Sequence, residues 1–225
     1  MKTEDYHVIE TYMLECMQDS AHDREHIYRV LYVALDIAEY EEDVDYDVLI
    51  AACLLHDIGR KEQYENPELC HAAVGPEKAY KFLIENNFRP EYAEKVAVCI
   101  KSHRFRSEDR LAGIEEKILF DADKIDVAGA LGITRTIFYQ GQVGEPLYSV
   151  NEAGEISDGS RDTKPSFFQE YKFKLEGLYA KFYTERGKEI AGRRQHSAVS
   201  FYESMKKEAG EFYQPGRRTL SGKLE

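Results

Sequence analysis

A chain of 225 residues, 43% hydrophobic with 16 Tyr and 11 Phe, can bury one core or two small ones without disulfide staples, and it is too aromatic for a disordered chain. Its net charge of −12 argues against a surface that grips DNA or RNA, so no nucleic-acid partner is expected. Cys16, Cys53, Cys70 and Cys99 form no CxxC pair, the start MKTEDYHVIE lacks a signal-like apolar stretch, and the longest apolar run, Val48 to Leu55, is too short to cross a bilayer. These features exclude a zinc finger and a secreted disulfide scaffold, and lead us to expect a cytoplasmic protein with no membrane partner.

The pattern along the chain is helical. Residues 5–18 read as a first helix. Asp23 is placed to cap a second, in which Ile27, Val30, Leu31, Ala34 and Ala38 recur at helical spacing. A third helix, about 46–57, is apolar nearly all round (VLIAACLL), which predicts a path through the domain centre, and Gly59 stops it. A polar loop, 60–70, precedes a fourth helix that ends near Asn86–Asn87, with Pro76 best suited to its first turn. Pro90 opens a fifth helix, with Ala93, Val96, Ala97 and Ile100 inside; a sixth covers about 114–124 and a seventh about 126–140. Residues 141–165, rich in Gly, Ser, Asp and Pro, read as a surface loop in which LYSV, NEAG and EIS suit a small hairpin. A loop of that length suggests a function such as a lid. Two more helices follow, about 166–183 and 185–209, the second capped by Thr184, and the polar tail from Tyr213 is expected to be loose. The expectation is an all-α bundle of about nine helices.

Three histidines point inward from three of these helices. His26 shares a face with Val30 and Val33, His56 with Leu49 and Ala52 or Cys53, and His103 with Val96 and Ile100. One buried histidine is ordinarily a satisfied core residue. Here carboxylates accompany them: Asp57 follows His56 at the end of the apolar run, and the segment IEEKILFDADK carries Asp121 and Asp123, with Asp123 one turn after Leu119. Mixed imidazole and carboxylate ligands suit a divalent ion such as Mn, Mg, Co, Fe, Ni or Zn. An ion so held acidifies water and polarises a phosphoryl oxygen.

The order H…HD…D, carried by HDREHIYRV, LLHDIGRK and FDADKID, resembles the HD phosphohydrolase superfamily. The family pattern places its last ligand before a basic residue, which favours Asp123 over Asp121. The resemblance implies one divalent ion on His26, His56, Asp57 and Asp123, with Asp57 also accepting a proton from the attacking water. HAAVGPEKA, IKSHRF, DKIDVAGALGITRT and TERGKEIAGRRQ look like a bacterial group of small HD hydrolases, so the likeness spans about residues 6–207. It implies a single HD hydrolase domain over 1–210, with its metal core at about 20–140 and C-terminal helices at about 166–209, before a polar tail at 211–225. The implied substrate is a small phosphorylated molecule, a nucleotide by analogy; a homodimer is left open.

Basic residues gather beside these positions in an otherwise acidic chain. Arg60, Lys61, Lys124 and Arg135 are candidates for gripping phosphate, and Arg29 and Arg104 lie nearby. His71 and His103 resemble histidines that complete a second metal site in two-metal relatives, or they bind the substrate phosphate; Arg104 stands where those relatives carry a further histidine. The alternatives are therefore a two-metal phosphodiesterase using His71 and His103, and a nucleotide-sensing module without turnover. Asp23 suits either a cap or an orienting partner for His26.

Overall fold

The computed structural model describes residues 1–17, 24–60, 71–103 and 111–224, apart from the side chains of 71–73. The Asp23 cap, Lys61, Cys70, Arg104 and the His71 side chain lie outside the described residues. Regular structure among the described residues is helical, with no strand and one isolated antiparallel bridge, Val150–Ile156. No helix among them is long and apolar enough to cross a membrane. Backbone contacts divide the chain into two compact units, Met1–Asp126 with Phe182–Gly187, and Val127–Lys181 with Lys188–Glu225.

The first unit is built on α3 (Tyr46–Leu55). Asp45 caps it, its Oδ1 accepting the Val48 amide at 3.3 Å. Val48, Leu49 and every residue from Ala51 to Leu55 are buried, so the helix needs neighbours on all sides. It finds them in α1 (Thr3–Cys16), α2 (Arg24–Ala38), α5 (Pro90–Ser102) and α6 (Ile114–Asp126), and α2 also packs along α6. Pro90 starts α5, where its missing amide costs nothing. The fourth helix, α4 (His71–Glu85), holds Pro76 inside it, beyond the first turn that suits a proline best. Packing offsets the lost hydrogen bond. Ala79 and Leu83 are fully buried, and α4 lies so near its neighbours that a Cβ on Gly75 would sit 3.6 Å from both the His56 carbonyl oxygen and Ile100 Cγ2.

A buried carboxylate ties the distant Phe182–Gly187 segment into this unit. Asp121, on α6, accepts hydrogen bonds from the Tyr183 amide at 2.9 Å, the Thr184 amide at 2.7 Å and the Thr184 hydroxyl at 2.7 Å. The Thr184 Oγ1 accepts the Gly187 amide at 3.0 Å, the expected cap at the start of α9 (Glu185–Glu211). Glycine is needed at 187 for space: a Cβ there would fall 2.5 Å from Asp121 Oδ2.

The second unit carries α7 (Gly129–Gln142), α8 (Phe167–Glu170), the rest of α9 and α10 (Tyr213–Ser221). Its core gathers Ile133, Phe167, Phe168, Tyr171, Leu175, Ala198 and Tyr202, with Tyr171 and Tyr202 stacked at 4.0 Å. The helix expected over 166–183 breaks up: α8 gives way to a π-helical turn, Tyr171–Leu175, and a 3-10 turn, Leu178–Ala180. The aromatic residues keep helical spacing, but the wider π turn carries the Tyr171–Tyr202 stack. The 141–165 loop belongs to this unit's core, to which it gives Tyr148 and Ile156. Its expected hairpin shrinks to the single bridge, with Ser149 and Ser157 both donating to Asp162 at 2.6 Å. The tail expected to be loose is helical as α10. It buries no residue and is held by Gln214 and Arg217, which both donate to the Gly154 carbonyl.

Removing the Asp121 carboxylate strips acceptors from buried donors. Asp121→Ala should lower unfolding stability by about 2–4 kcal/mol in a urea titration. Gly187→Ala should destabilise in the same direction by overpacking the same spot. A wild-type midpoint for both variants would show that the clasp is dispensable.

Candidate metal centre

Four elements of the first unit deliver the histidines and carboxylates. His26 lies in the first turn of α2 and Asp123 in the last turn of α6. His56 and Asp57 continue α3 past Leu55 in a buried turn, His56 still with helical dihedrals. His103 follows α5 in the same way. Each ring commits its Nδ1 to a fixed acceptor. His56 Nδ1 donates to the Cys53 carbonyl at 2.7 Å, His103 Nδ1 to the Ile100 carbonyl at 2.5 Å, and His26 Nδ1 to Asp126 Oδ2 at 2.7 Å. Fixing Nδ1 aims Nε2 the other way.

The Nε2 atoms of His26 and His56 meet 3.2 Å apart. Asp57 Oδ2 lies 3.4 Å from the first and 3.6 Å from the second, and Asp123 Oδ1 lies 3.5 Å from His26 Nε2. The donor atoms of His26, His56 and Asp123 all fall within 4.8 Å of one another. Two donors on one ion with bonds of about 2.1 Å stand about 3.0–3.4 Å apart at angles between octahedral and tetrahedral. The imidazole pair has that spacing, so the residues fit a divalent ion in both geometry and donor type.

The electrostatics carry the same signature. Burial disfavours a charged His26, but its hydrogen bond to Asp126 and the carboxylates of Asp57 and Asp123 outweigh that and raise it to about 9. His56 moves down, through burial and the neighbouring His26 charge. A proton on His26 Nε2, donated to the His56 Nε2 lone pair, satisfies both rings. Burial, with His56 adding to it, lowers His103 to about 4, so this ring is neutral at physiological pH. Burial works against the charge on Asp57 and Asp123. Arg60 and His56 beside Asp57, and Lys124 and His26 beside Asp123, overcome it and hold both well below the usual carboxylate range.

The structure thus brings His26, His56, Asp57 and Asp123 together, with His103 Nε2 at 3.9 Å from Asp57 Oδ1. Between the two acidic candidates on α6 it separates the tasks, since Asp121 is engaged by Tyr183 and Thr184. Arg60 donates to Asp57 Oδ2, and Lys124 to Asp123 Oδ2 at 2.8 Å. Arg135 lies half-buried on α7 in the second unit. Sequence reasoning missed Asp126 as the partner of His26. Its trace in the sequence is DKID, a second carboxylate one helical turn after Asp123, on the same face.

The HD domain family model matches residues 24–128. The chain is 27% identical over 195 residues to YpgQ of Bacillus subtilis, covering 85% of this chain and 86% of YpgQ. The structure of YpgQ in complex with ADP superimposes with a TM-score of 0.68 at 26% identity, over 89% of this chain and 97% of that one. A Lactobacillus plantarum protein gives a TM-score of 0.73 at 25% identity, over 92% of this chain and 97% of that one. An HD-superfamily hydrolase from Bacillus thuringiensis gives 0.68 at 27% identity, over 92% and 98%. The matched span contains His26, His56, Asp57 and Asp123, so the chain carries an HD domain over residues 24–128, in a fold shared with HD-superfamily hydrolases.

Proposed function

We propose that this protein is a metal-dependent phosphohydrolase that cleaves a phosphoester or phosphoanhydride of a nucleotide. The observation that carries the reading is the convergence of His26, His56 and Asp123 donor atoms within 4.8 Å of one another, with Asp57 Oδ2 at 3.4 Å from His26 Nε2. The nucleotide class is supported by the ADP bound to YpgQ.

In this reading His26, His56, Asp57 and Asp123 hold one divalent ion (Mn, Mg, Co, Fe, Ni or Zn). When bound, the ion supplies Lewis acidity toward a phosphoryl oxygen and acidifies water. Asp57 accepts the proton of the water that attacks phosphorus in line with the leaving group. Arg60 and Lys124, which stand on Asp57 and Asp123 with side chains 35% and 23% exposed, balance the charge of the phosphate oxygens. Buried surroundings keep bulk water from screening these contacts.

A second reading has its own observation. Asp57 turns Oδ2 toward His26 and His56, while His103 Nε2, a lone pair in the neutral ring, lies 3.9 Å from Oδ1. A carboxylate facing two imidazole groups in this way suits a two-metal phosphodiesterase in which His103 and His71 hold the second ion.

A panel of nucleotides assayed with Mn or Co should release phosphate or pyrophosphate from at least one member. His56→Ala and Asp57→Ala should each lower kcat by about a thousandfold or more. Nucleotide binding without turnover by the wild-type protein would replace the hydrolase with a sensor. Arg60→Ala should lower kcat/KM by about 100-fold while metal content is kept, and a wild-type kcat/KM would remove Arg60 from the substrate site. Metal analysis of the fully active protein should give one ion per chain; two ions, with one lost in His103→Ala, would establish the two-metal reading.

A further inference from the structure

We infer that Asp126 is the positioning residue of this centre: clamped by Arg29, it locks the His26 ring so that Nε2 faces the ion. The inference rests on the metal-dependent reading above. His26 and Arg29 are one turn apart on α2, and Asp123 and Asp126 one turn apart on α6, two helices that pack side by side. The first rung is His26 Nε2 to Asp123 Oδ1, 3.5 Å. The second is Arg29 to Asp126, made with two donors: Nε to Oδ1 at 2.7 Å and Nη2 to Oδ2 at 3.2 Å. A two-point guanidinium contact fixes the carboxylate plane as well as its position.

Asp126 then reaches back one rung. Its Oδ2 takes the His26 Nδ1 hydrogen at 2.7 Å. The imidazole is rigid, so holding Nδ1–H on a fixed acceptor sets both the tautomer and the direction of the Nε2 lone pair. Asp126 itself cannot share the ion, because it lies on the Nδ1 side of the ring while His56, Asp57 and Asp123 lie on the Nε2 side. His56 and His103 use backbone carbonyls for the same purpose. Only His26 of the three uses a side chain, with a charged acceptor, and that acceptor is only 2% exposed.

A merely structural Arg29–Asp126 pair would join α2 to α6 and leave ion affinity untouched. The separating experiment is a Co(II) titration of the full-length metal-free protein, followed by visible absorption against a competing chelator. Asp126→Asn should weaken Co(II) binding by about 10- to 100-fold while helix content and a cooperative melt are retained. Arg29→Lys keeps the charge and Asp126 but removes the two-donor clamp, and should weaken Co(II) binding several-fold; it carries the test if Asp126→Asn does not fold. Wild-type Co(II) affinity in either folded variant overturns the inference. Failure of the wild-type protein to bind Co(II) would instead overturn the metal-dependent reading itself.

Discussion

Two imidazole nitrogens held 3.2 Å apart inside an apolar bundle face each other lone pair to lone pair unless a positive charge lies between them. A proton on His26 meets that demand, and a divalent ion meets it with more charge and more partners. The rest of the first unit serves this constraint. Burial of α3 on all sides carries His56 and Asp57 to the middle of the bundle, and α2 and α6, packed together, bring His26 and Asp123 to the same place. Those fixed backbones hold the two rings close enough for such a positive charge to be shared between them.

Burying carboxylates is costly, and this unit buries several in an acidic chain. Asp121 and Asp126 are held by partners that are part of the framework: backbone amides and a hydroxyl for the first, Arg29 and His26 for the second. Asp57 and Asp123 are held by Arg60 and Lys124, long side chains that keep part of their surface in water. The segment DADKID thus places three carboxylates within six positions and gives each a different electrostatic task. Asp57 and Asp123 face the Nε2 side of the imidazole pair, whereas Asp126 takes the Nδ1 side of His26.

Much of this was legible in the sequence because it depends on local pattern. The all-round apolar VLIAACLL predicts a central helix, Pro90 and Thr184 mark helix starts, and the order of His26, His56–Asp57 and Asp123 marks a shared centre. What stayed hidden depends on contacts between distant segments. Asp121 is separated from Asp123 by its hydrogen bonds to Tyr183 and Thr184, more than sixty positions away, which no spacing rule reveals. Asp126 reads as an ordinary charged residue until α2 supplies Arg29 and His26. Pro76 sits inside α4 because tertiary packing outweighs a local preference. The π turn at Tyr171 is invisible to periodicity, since its residues keep the spacing of an α-helix while their hydrogen bonds do not.

The clasp between Asp121 and Thr184 also sets how small the histidine-bearing half of this molecule can be made. The span recognised as an HD domain stops at residue 128, yet the helix bearing Asp123 is braced two positions upstream by amides from residues 183 and 184. A fragment trimmed to the recognised span would leave Asp121 in the interior with those donors cut away. Its acidic helix would then be drawn toward solvent, taking Asp123 with it. The structural boundary of this unit is therefore discontinuous in the chain, and six residues from beyond the 127–181 excursion belong to its foundations.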